Sequence, residues 1–290
     1  MNLGHNVGQL AAALRDDAEL IEAWLHNRSP RTQTAYRRDV TGFLAHLGKK
    51  LSEVTLDDIQ NYADAIGHLA ATTRARTFSA IKSLLTFGFR LGVLPVDVGH
   101  LFHLPLVKNN LSDRILSEDD VRGIIAAESN YRNRALVRLL YVAGLRVSEV
   151  CYLTWRDLRS RGKAGEIVVA PGTPEERVVL LSRATWQEVM SLREQSDPGP
   201  SAGEPVFRSQ KGGHLHASSV WRIVRAAARR AGVDLPVSPH WLRHSHAVHA
   251  LDQGAPLLLV QATLGHRSIA TTERYLRRRP SGSSARYLEV

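Results

Sequence analysis

The 290-residue chain has one cysteine and only six lysines. The lone Cys151 cannot close an intramolecular disulfide, so a disulfide framework is excluded and a reducing compartment, the cytoplasm, is expected. No uncharged apolar run reaches the roughly 18 residues of a membrane-spanning helix, and Asp16, Asp17 and Glu19 interrupt the first apolar stretch, against a secretory leader. Because lysine is scarce, 32 of the 38 basic residues are arginine, in a chain of net charge +10. The planar arginine fork grips phosphate oxygens in pairs, which points to a polyanionic partner; arginine-favouring codon usage is the competing explanation.

The length is about twice that of a usual domain, so two domains are expected. Residues 99–114 mix proline, glycine, paired asparagines and scattered hydrophobics without helical or strand period, and read as a linker between residues 15–98 and 115–290. Residues 1–108 carry a net charge of +2 and residues 109–290 a net of +8, so most of the polyanion grip is expected in the second domain.

The first domain reads as a helical bundle. Ala18, Ile21, Trp24 and Leu25 follow a helical period, Ser29-Pro30 opens a second helix that Gly48 closes, and Thr55-Leu-Asp-Asp58 starts a third. A fourth spans 71–91, with Phe78, Ile81, Leu84, Leu85 and Phe89 on its buried face. Arg31, Arg37, Arg38, Arg74, Arg76 and Lys82 lie between these stripes and are candidates to face phosphates; solvated surface charge is the plain alternative for each. The second domain opens with the N-cap pattern Ser117-Glu-Asp-Asp120 and is mostly helical. Glu166–Ala170 and Arg177–Leu181 read as a hairpin pair. The expected fold class is mainly α: a helical bundle followed by a mainly helical domain with a small antiparallel β-sheet.

Three stretches of the second domain carry chemistry. In AGLRVSEV, Gly144 breaks a helix and Arg146 stands where the next begins, beside free backbone N–H groups that favour an anion. In Ser238-Pro-His240-Trp-Leu-Arg243-His244-Ser-His246, His240 and Arg243 share a helix face and set a proton carrier beside a phosphate fork. The spacing of His240 and His244, with His246 and His249 near, also admits zinc, although no glutamate follows His240 and the only cysteine is distant in sequence. In the third, Pro256 and Gly265 bracket a short apolar helix, His266 follows, and Tyr275 comes nine residues later.

Taken in order, AGLRVSEV, HWLRH, Leu264-Gly-His266 and Tyr275, together with Ser29-Pro-Arg-Thr-Gln-Thr-Ala-Tyr-Arg-Arg-Asp39, resemble the tyrosine recombinases of the phage integrase and Xer type. The resemblance implies a core-binding, SAM-like DNA-binding domain at 15–98 and a catalytic domain at 115–290. It also implies a site-specific recombinase that cuts and rejoins DNA through a 3′-phosphotyrosine, without metal or other cofactor. By it, Tyr275 is the nucleophile, Arg146 and Arg243 hold the charge of the transition state, His266 hydrogen-bonds a phosphate oxygen and His240 assists proton transfer at Tyr275. Glu149, three residues past Arg146, can orient one guanidinium or simply favour a helix start. Expected DNA contacts are Arg31, Arg37, Arg74, Lys82 and Lys211. Expected partners are double-stranded DNA and further recombinase protomers, as a homo- or hetero-tetramer on paired sites, with no membrane. Tyr287 competes with Tyr275 as nucleophile but lacks the preceding Gly-His.

The chain departs from the family at one point. The family's lysine in the hairpin turn, general acid to the leaving 5′-oxygen, is missing from Ala170-Pro-Gly-Thr-Pro-Glu-Glu176, leaving Lys163 and Lys211 as possible substitutes. This departure sustains a rival reading, a DNA-binding homologue with weak or partner-dependent cleavage that acts as an architectural or accessory factor. A basic RNA-binding protein is a third, but it predicts none of the ordered Arg, His, Arg, His, Tyr set.

Overall fold

The structure, a computed structural model, describes residues 16–102, 111–195 and 199–276. The chain divides into two compact units, Met1–Asn109 and Asn110–Val290.

In the first unit four of the five described α-helices start where a side-chain oxygen takes an orphan N–H. Asp16 caps α1 (Asp17–Leu25), Ser29 with Pro30 opens α2 (Pro30–Leu47), and a reciprocal Thr55–Asp58 capping box opens α3 (Leu56–Ala65). The long α4 (Ala71–Arg90) and the short α5 (Val98–Leu101) complete the bundle. Leu20, Leu25, Phe43, Ile59, Ile81, Leu84 and Leu85 are almost wholly buried in its core. Burial stabilises such side chains by about 1.5–3 kcal/mol each. Phe89 does not join them: the buried stripe of α4 runs through Gly88, against which Leu94 folds back, and Phe89 is left 42% exposed one position round the helix. Residues 98–101, at the start of the expected linker, are helical and pack on α4.

The second unit begins with a Ser117–Asp120 capping box on α6 (Glu118–Ala126), followed by α7 (Tyr131–Val142) and α8 (Val147–Tyr152). A three-stranded antiparallel sheet follows in the order β1 (Leu158–Arg161), β2 (Ala164–Val169), β3 (Arg177–Leu181). The hairpin is the expected one, with Ile167 opposite Val179 and Val169 opposite Arg177. β1 is an addition: Leu-Arg-Ser-Arg has no apolar alternation because it is an exposed edge strand held by backbone pairing to β2. Helices α9 (Arg183–Glu194), α10 (Ala217–Arg230), α11 (Pro239–Asp252), α12 (Leu257–Leu264) and α13 (Ile269–Leu276) follow. Leu136, Leu140, Ile167, Phe207, Val224 and Leu242 lie in one apolar core, whereas Ala247, Val260, Leu264 and Tyr275 belong to a separate cluster where α11, α12 and α13 meet. No helix among the described residues is long and apolar enough to cross a membrane.

Candidate active site

The site is organised around the C-terminal end of α12. Helix C-termini leave carbonyls without intrahelical partners and carry partial negative charge, so cations gather there. Three successive carbonyls each accept from a different arginine: Thr263 from Arg177 Nε at 2.7 Å, Leu264 from Arg243 Nη2, and Gly265 from Arg146 Nη2 at 2.8 Å. Gly265 has φ 62°, the left-handed value that favours glycine, and a Cβ there would stand 3.1 Å from Arg177.

Arg146 is the N-cap of α8, reached through the left-handed Gly144 (φ 57°) after α7 ends. Its backbone N–H donates to Glu149 Oε2 at 2.7 Å and its Nη1 to Glu149 Oε1 at 2.8 Å. Glu149 also accepts from Arg177 at both oxygens, each at 2.9 Å, so it orients two guanidiniums. The guanidinium bonds hold the Glu149 carboxyl down at about 2 despite its burial. The carbonyl of Gly144 accepts from Arg243 Nη1, and a Cβ at Gly144 would lie 2.6 Å from Leu264 Cδ2. Arg243 is buried, and burial followed by repulsion from Arg146 brings it down to about 10, still charged at neutral pH.

His266 follows Gly265 on the turn into α13. Its Nδ1 pairs with Thr272 Oγ1 at 2.9 Å, which leaves Nε2 for another partner. Burial, with Arg243, Arg146 and Arg177 around it, lowers His266 to about 4, so the ring is neutral at pH 7. Tyr275 on α13 is buried, which raises its phenol above the usual value, and its ring lies 6.4 Å from that of His266. The structure therefore brings together Arg146, Arg243, His266 and Tyr275 from four separate segments.

His240 is exposed on the first turn of α11, with its ring 6.4 Å from that of Trp221 and 6.5 Å from that of His244, and the imidazole on the Tyr275 hydroxyl is His244, whose Nδ1 lies 2.7 Å from the oxygen. Helical geometry explains the difference, because residues four apart differ by a full turn of height, and Tyr275 meets α11 at the second turn. The remaining histidines diverge. His249 pairs with Tyr141 Oη at 2.9 Å, and the ring of His246 lies beneath Gly144. Among the described residues no three His, Cys, Asp or Glu side chains gather as a metal-ligand set.

Sequence reasoning missed His244 as a contact of the tyrosine, and nothing in a histidine-rich helix singles it out. Arg177 entered that reading only as the first residue of the second hairpin strand. Here a signal existed, since strand alternation puts Arg177 on the same face as the buried Val179 and Leu181, where a charge demands a partner. Neither lysine substitute is built into the hairpin turn. Lys163 lies exposed in the β1–β2 turn, at the far end of β2 and so about 17 Å away at ~3.3 Å per residue. Lys211 is exposed in the Ser209–Gly213 turn and lines a cavity of about 670 Å³ with Arg132, His214, Arg222 and Arg230. The hairpin turn itself presents Glu175, which pairs with Arg267, and Glu176, which accepts from the Gly172 N–H at 2.7 Å.

In the first unit, Arg31 and Arg38 are exposed on α2. Arg37 is also exposed and pairs with Glu22, and Arg76 binds Asp39 at both oxygens at 2.8 Å. Lys82 donates to the Phe102 carbonyl at 3.0 Å, and Arg74 is half-buried, with Nη1 3.4 Å from the Gly67 carbonyl. Tyr287 lies outside the described residues.

Residues 114–281 match the model of the phage integrase family, and residues 23–92 that of the phage integrase N-terminal SAM-like domain. The chain belongs to the phage integrase family, as a tyrosine recombinase of Xer type. It is 32% identical over 296 residues to the tyrosine recombinase XerC of Brucella suis, covering 92% of each chain, and 30% identical over 273 residues to XerD of Mycobacterium leprae, covering 84% of this chain and 85% of that relative. Among solved structures, the recombinase resembles XerH bound to its difH substrate (TM-score 0.70, 17% identity, 94% of this chain and 90% of that one). It also resembles a lambda integrase tetramer bound to a Holliday junction (TM-score 0.71, 18% identity, 92% and 77%). The recombinase is thus a site-specific recombination enzyme with the expected mainly helical fold and small antiparallel sheet.

Proposed function

We propose that the recombinase acts on double-stranded DNA in the cytoplasm, as a homo- or hetero-tetramer on paired sites, through attack of Tyr275 Oη on the scissile phosphate. The attack forms a 3′-phosphotyrosine and releases a 5′-hydroxyl end; the reverse step, with a new 5′-hydroxyl, rejoins the strand. Arg146 and Arg243 take the non-bridging oxygens, and His266 donates from Nε2 to one of them. His240, on the exposed first turn of the same helix as Arg243, assists proton transfer to and from Tyr275. Phosphodiester energy is kept in the phosphotyrosine bond, so no external energy source enters. Arg31, Arg37, Arg74, Lys82 and Lys211 are assigned to the DNA backbone; Arg37 and Lys82 exchange their protein partners, Glu22 and the Phe102 carbonyl, for phosphate.

The observation that carries this reading is the convergence of two guanidiniums, a neutral imidazole and a buried tyrosine at one helix end. Each fixed donor of this kind contributes about 10²–10³ in rate where charge develops. The test is trapping on a nicked duplex whose short 5′ fragment diffuses away after cleavage. Wild type is expected to accumulate a covalent DNA adduct that maps to Tyr275, and Tyr275→Phe to bind the duplex nearly as well and form none. An adduct in Tyr275→Phe would move the nucleophile elsewhere, with Tyr287 examined first.

A further inference from the structure

Whether His266 Nε2 meets a phosphate as a hydrogen-bond donor or as a lone pair is decided on the opposite side of the ring, at Nδ1. The backbone of His266 is fixed from α12: its N–H donates to the Gln261 carbonyl at 3.2 Å, and Gln261 Nε2 donates to the His266 carbonyl at 3.0 Å. The ring is held from α13. Thr272 Oγ1 lies 2.9 Å from Nδ1, and Thr272 is wholly buried. Thr272 stands three residues before Tyr275, so the hydroxyl that meets the imidazole and the phenol project from one face of one helix.

A threonine hydroxyl has one hydrogen to give. Thr34 and Thr263 give theirs back to their own helices, to the carbonyls of Pro30 at 3.0 Å and Leu259 at 2.9 Å, four residues earlier. Thr272 does not. Among the described residues its hydroxyl has His266 as its sole hydrogen-bond partner. If Nδ1 carried the ring hydrogen, Thr272 would have to accept it, and its own hydrogen would be buried without an acceptor. Donation to Nδ1 avoids that cost.

We propose that Thr272 is a positioning residue for the strand-cleavage reaction: its hydroxyl donates to His266 Nδ1, fixes the imidazole hydrogen on Nε2, and aims that hydrogen at a non-bridging oxygen of the scissile phosphate. This rests on His266 being a phosphate donor. Burial, then the field of Arg243, Arg146 and Arg177, lowers His266 to about 4. The ring therefore carries a single hydrogen at pH 7, and its tautomer decides what the phosphate meets. A lone pair on Nε2 would repel the oxygen on which charge gathers in the transition state, whereas an N–H stabilises it. Because Thr272 and Tyr275 share α13, the helix that presents the nucleophile also sets the donor.

The experiment measures single-turnover cleavage of the nicked duplex by Thr272→Val, Thr272→Ser, His266→Ala and the double variant of Thr272→Val with His266→Ala. Valine keeps the branched shape and loses the hydroxyl. Duplex affinity equal to that of wild type verifies the fold, and Thr272→Ala replaces Thr272→Val if the latter does not fold. Thr272→Val is expected to cleave about 10 to 10² more slowly, short of the roughly 10²–10³ that loss of a whole donor costs, and Thr272→Ser to recover most of the rate. In the His266→Ala background Thr272→Val should cost nothing further, since the hydroxyl acts only through the ring. Heteronuclear NMR of isotope-labelled histidines in the wild-type protein, assigned with His266→Ala, should find the His266 ring neutral with its hydrogen on Nε2. Wild-type cleavage by Thr272→Val, serine as slow as valine, an equal cost of Thr272→Val in both backgrounds, or a wild-type ring with its hydrogen on Nδ1 would overturn the proposal. Wild-type cleavage by His266→Ala would instead overturn the assignment of His266 as phosphate donor, and the role of Thr272 with it.

Discussion

Replacing Arg177 by methionine keeps the length of the side chain and removes its charge, and the structure sets the cost. Arg177 is 8% exposed and donates to both oxygens of Glu149 and to the Thr263 carbonyl. Glu149 is held at about 2 instead of the ordinary 4.5, which at ~1.4 kcal/mol per tenfold change in proton affinity is worth roughly 3 kcal/mol at neutral pH. Arg177 supplies the largest lowering contribution and Arg146 the remainder, so about 2 kcal/mol goes with Arg177. Leaving the Thr263 carbonyl without its donor adds about 1 kcal/mol. The expected total is about 3 kcal/mol, at the lower edge of what breaking a buried pair costs, because Arg146 still serves Glu149. For a unit of this size that is about 6–12 °C in the melting temperature of the second unit.

The pH dependence separates this account from simple loss of packing. A depressed carboxyl contributes its full stability above its unfolded value, near 4.5, and loses it as pH falls toward 2. In Arg177→Met the Glu149 carboxyl titrates closer to 4.5, so the gap between wild type and variant is expected to be constant from pH 8 to about 5.5 and to narrow as pH falls from 5 toward 2, leaving the roughly 1 kcal/mol of the Thr263 carbonyl. Urea denaturation followed by circular dichroism across that range measures it. A loss under about 1 kcal/mol at pH 7.5, or a gap unchanged down to pH 3, would refute the reasoning.

Gly144→Ala should destabilise the second unit by about 2–4 kcal/mol, because a left-handed residue costs an alanine 1–2 kcal/mol and its Cβ would meet Leu264 Cδ2 at 2.6 Å. The urea midpoint reports it, and a change under about 0.5 kcal/mol would show that the turn relaxes freely. The hairpin turn carries no lysine, and Arg177 beside it is committed to Glu149 and Thr263, so the leaving 5′-oxygen lacks a proton donor from the turn. A 5′-thio substrate, whose sulfur leaves without protonation, is expected to cleave at least 10²-fold faster than ordinary DNA under chemistry-limited conditions; equal rates would show a general acid at work and direct attention to Lys211→Ala.

The parts of this molecule that were legible in the sequence are those decided locally. Ser29-Pro30, Thr55-Asp58 and Ser117-Asp120 are helix starts because the capping atoms lie within three residues, and the structure forms all three. The hairpin strands declare themselves by two short runs of β-branched and aliphatic residues on either side of a Pro-Gly-Thr-Pro turn. β1 does not, because an exposed edge strand is held by backbone pairing to which side chains are nearly indifferent. Phe89 fails for a related reason: whether an apolar residue at the margin of a stripe is buried depends on what folds over it, and there Leu94 covers Gly88 instead. His244 was hidden more deeply. His240 and His244 are equivalent by composition and local pattern, and only the height at which α13 meets α11 decides which of them touches Tyr275.

The same distinction governs the arginines. Spacing in the chain identifies Arg146 and Arg243 but says nothing of how much of each remains available to a phosphate. A guanidinium has five N–H donors in a fixed fork. Arg146 uses one on Glu149 and one on the Gly265 carbonyl, and Arg243 uses one on each of the Gly144 and Leu264 carbonyls, so three remain on each. Arg177 uses three, all on the protein, and is 8% exposed. The division of labour follows from those numbers. Arg177 holds Glu149 and the end of α12 in place, and Arg146 and Arg243, each anchored by two bonds to that scaffold, keep the rest of their forks uncommitted, as the proposed grip on a phosphate requires.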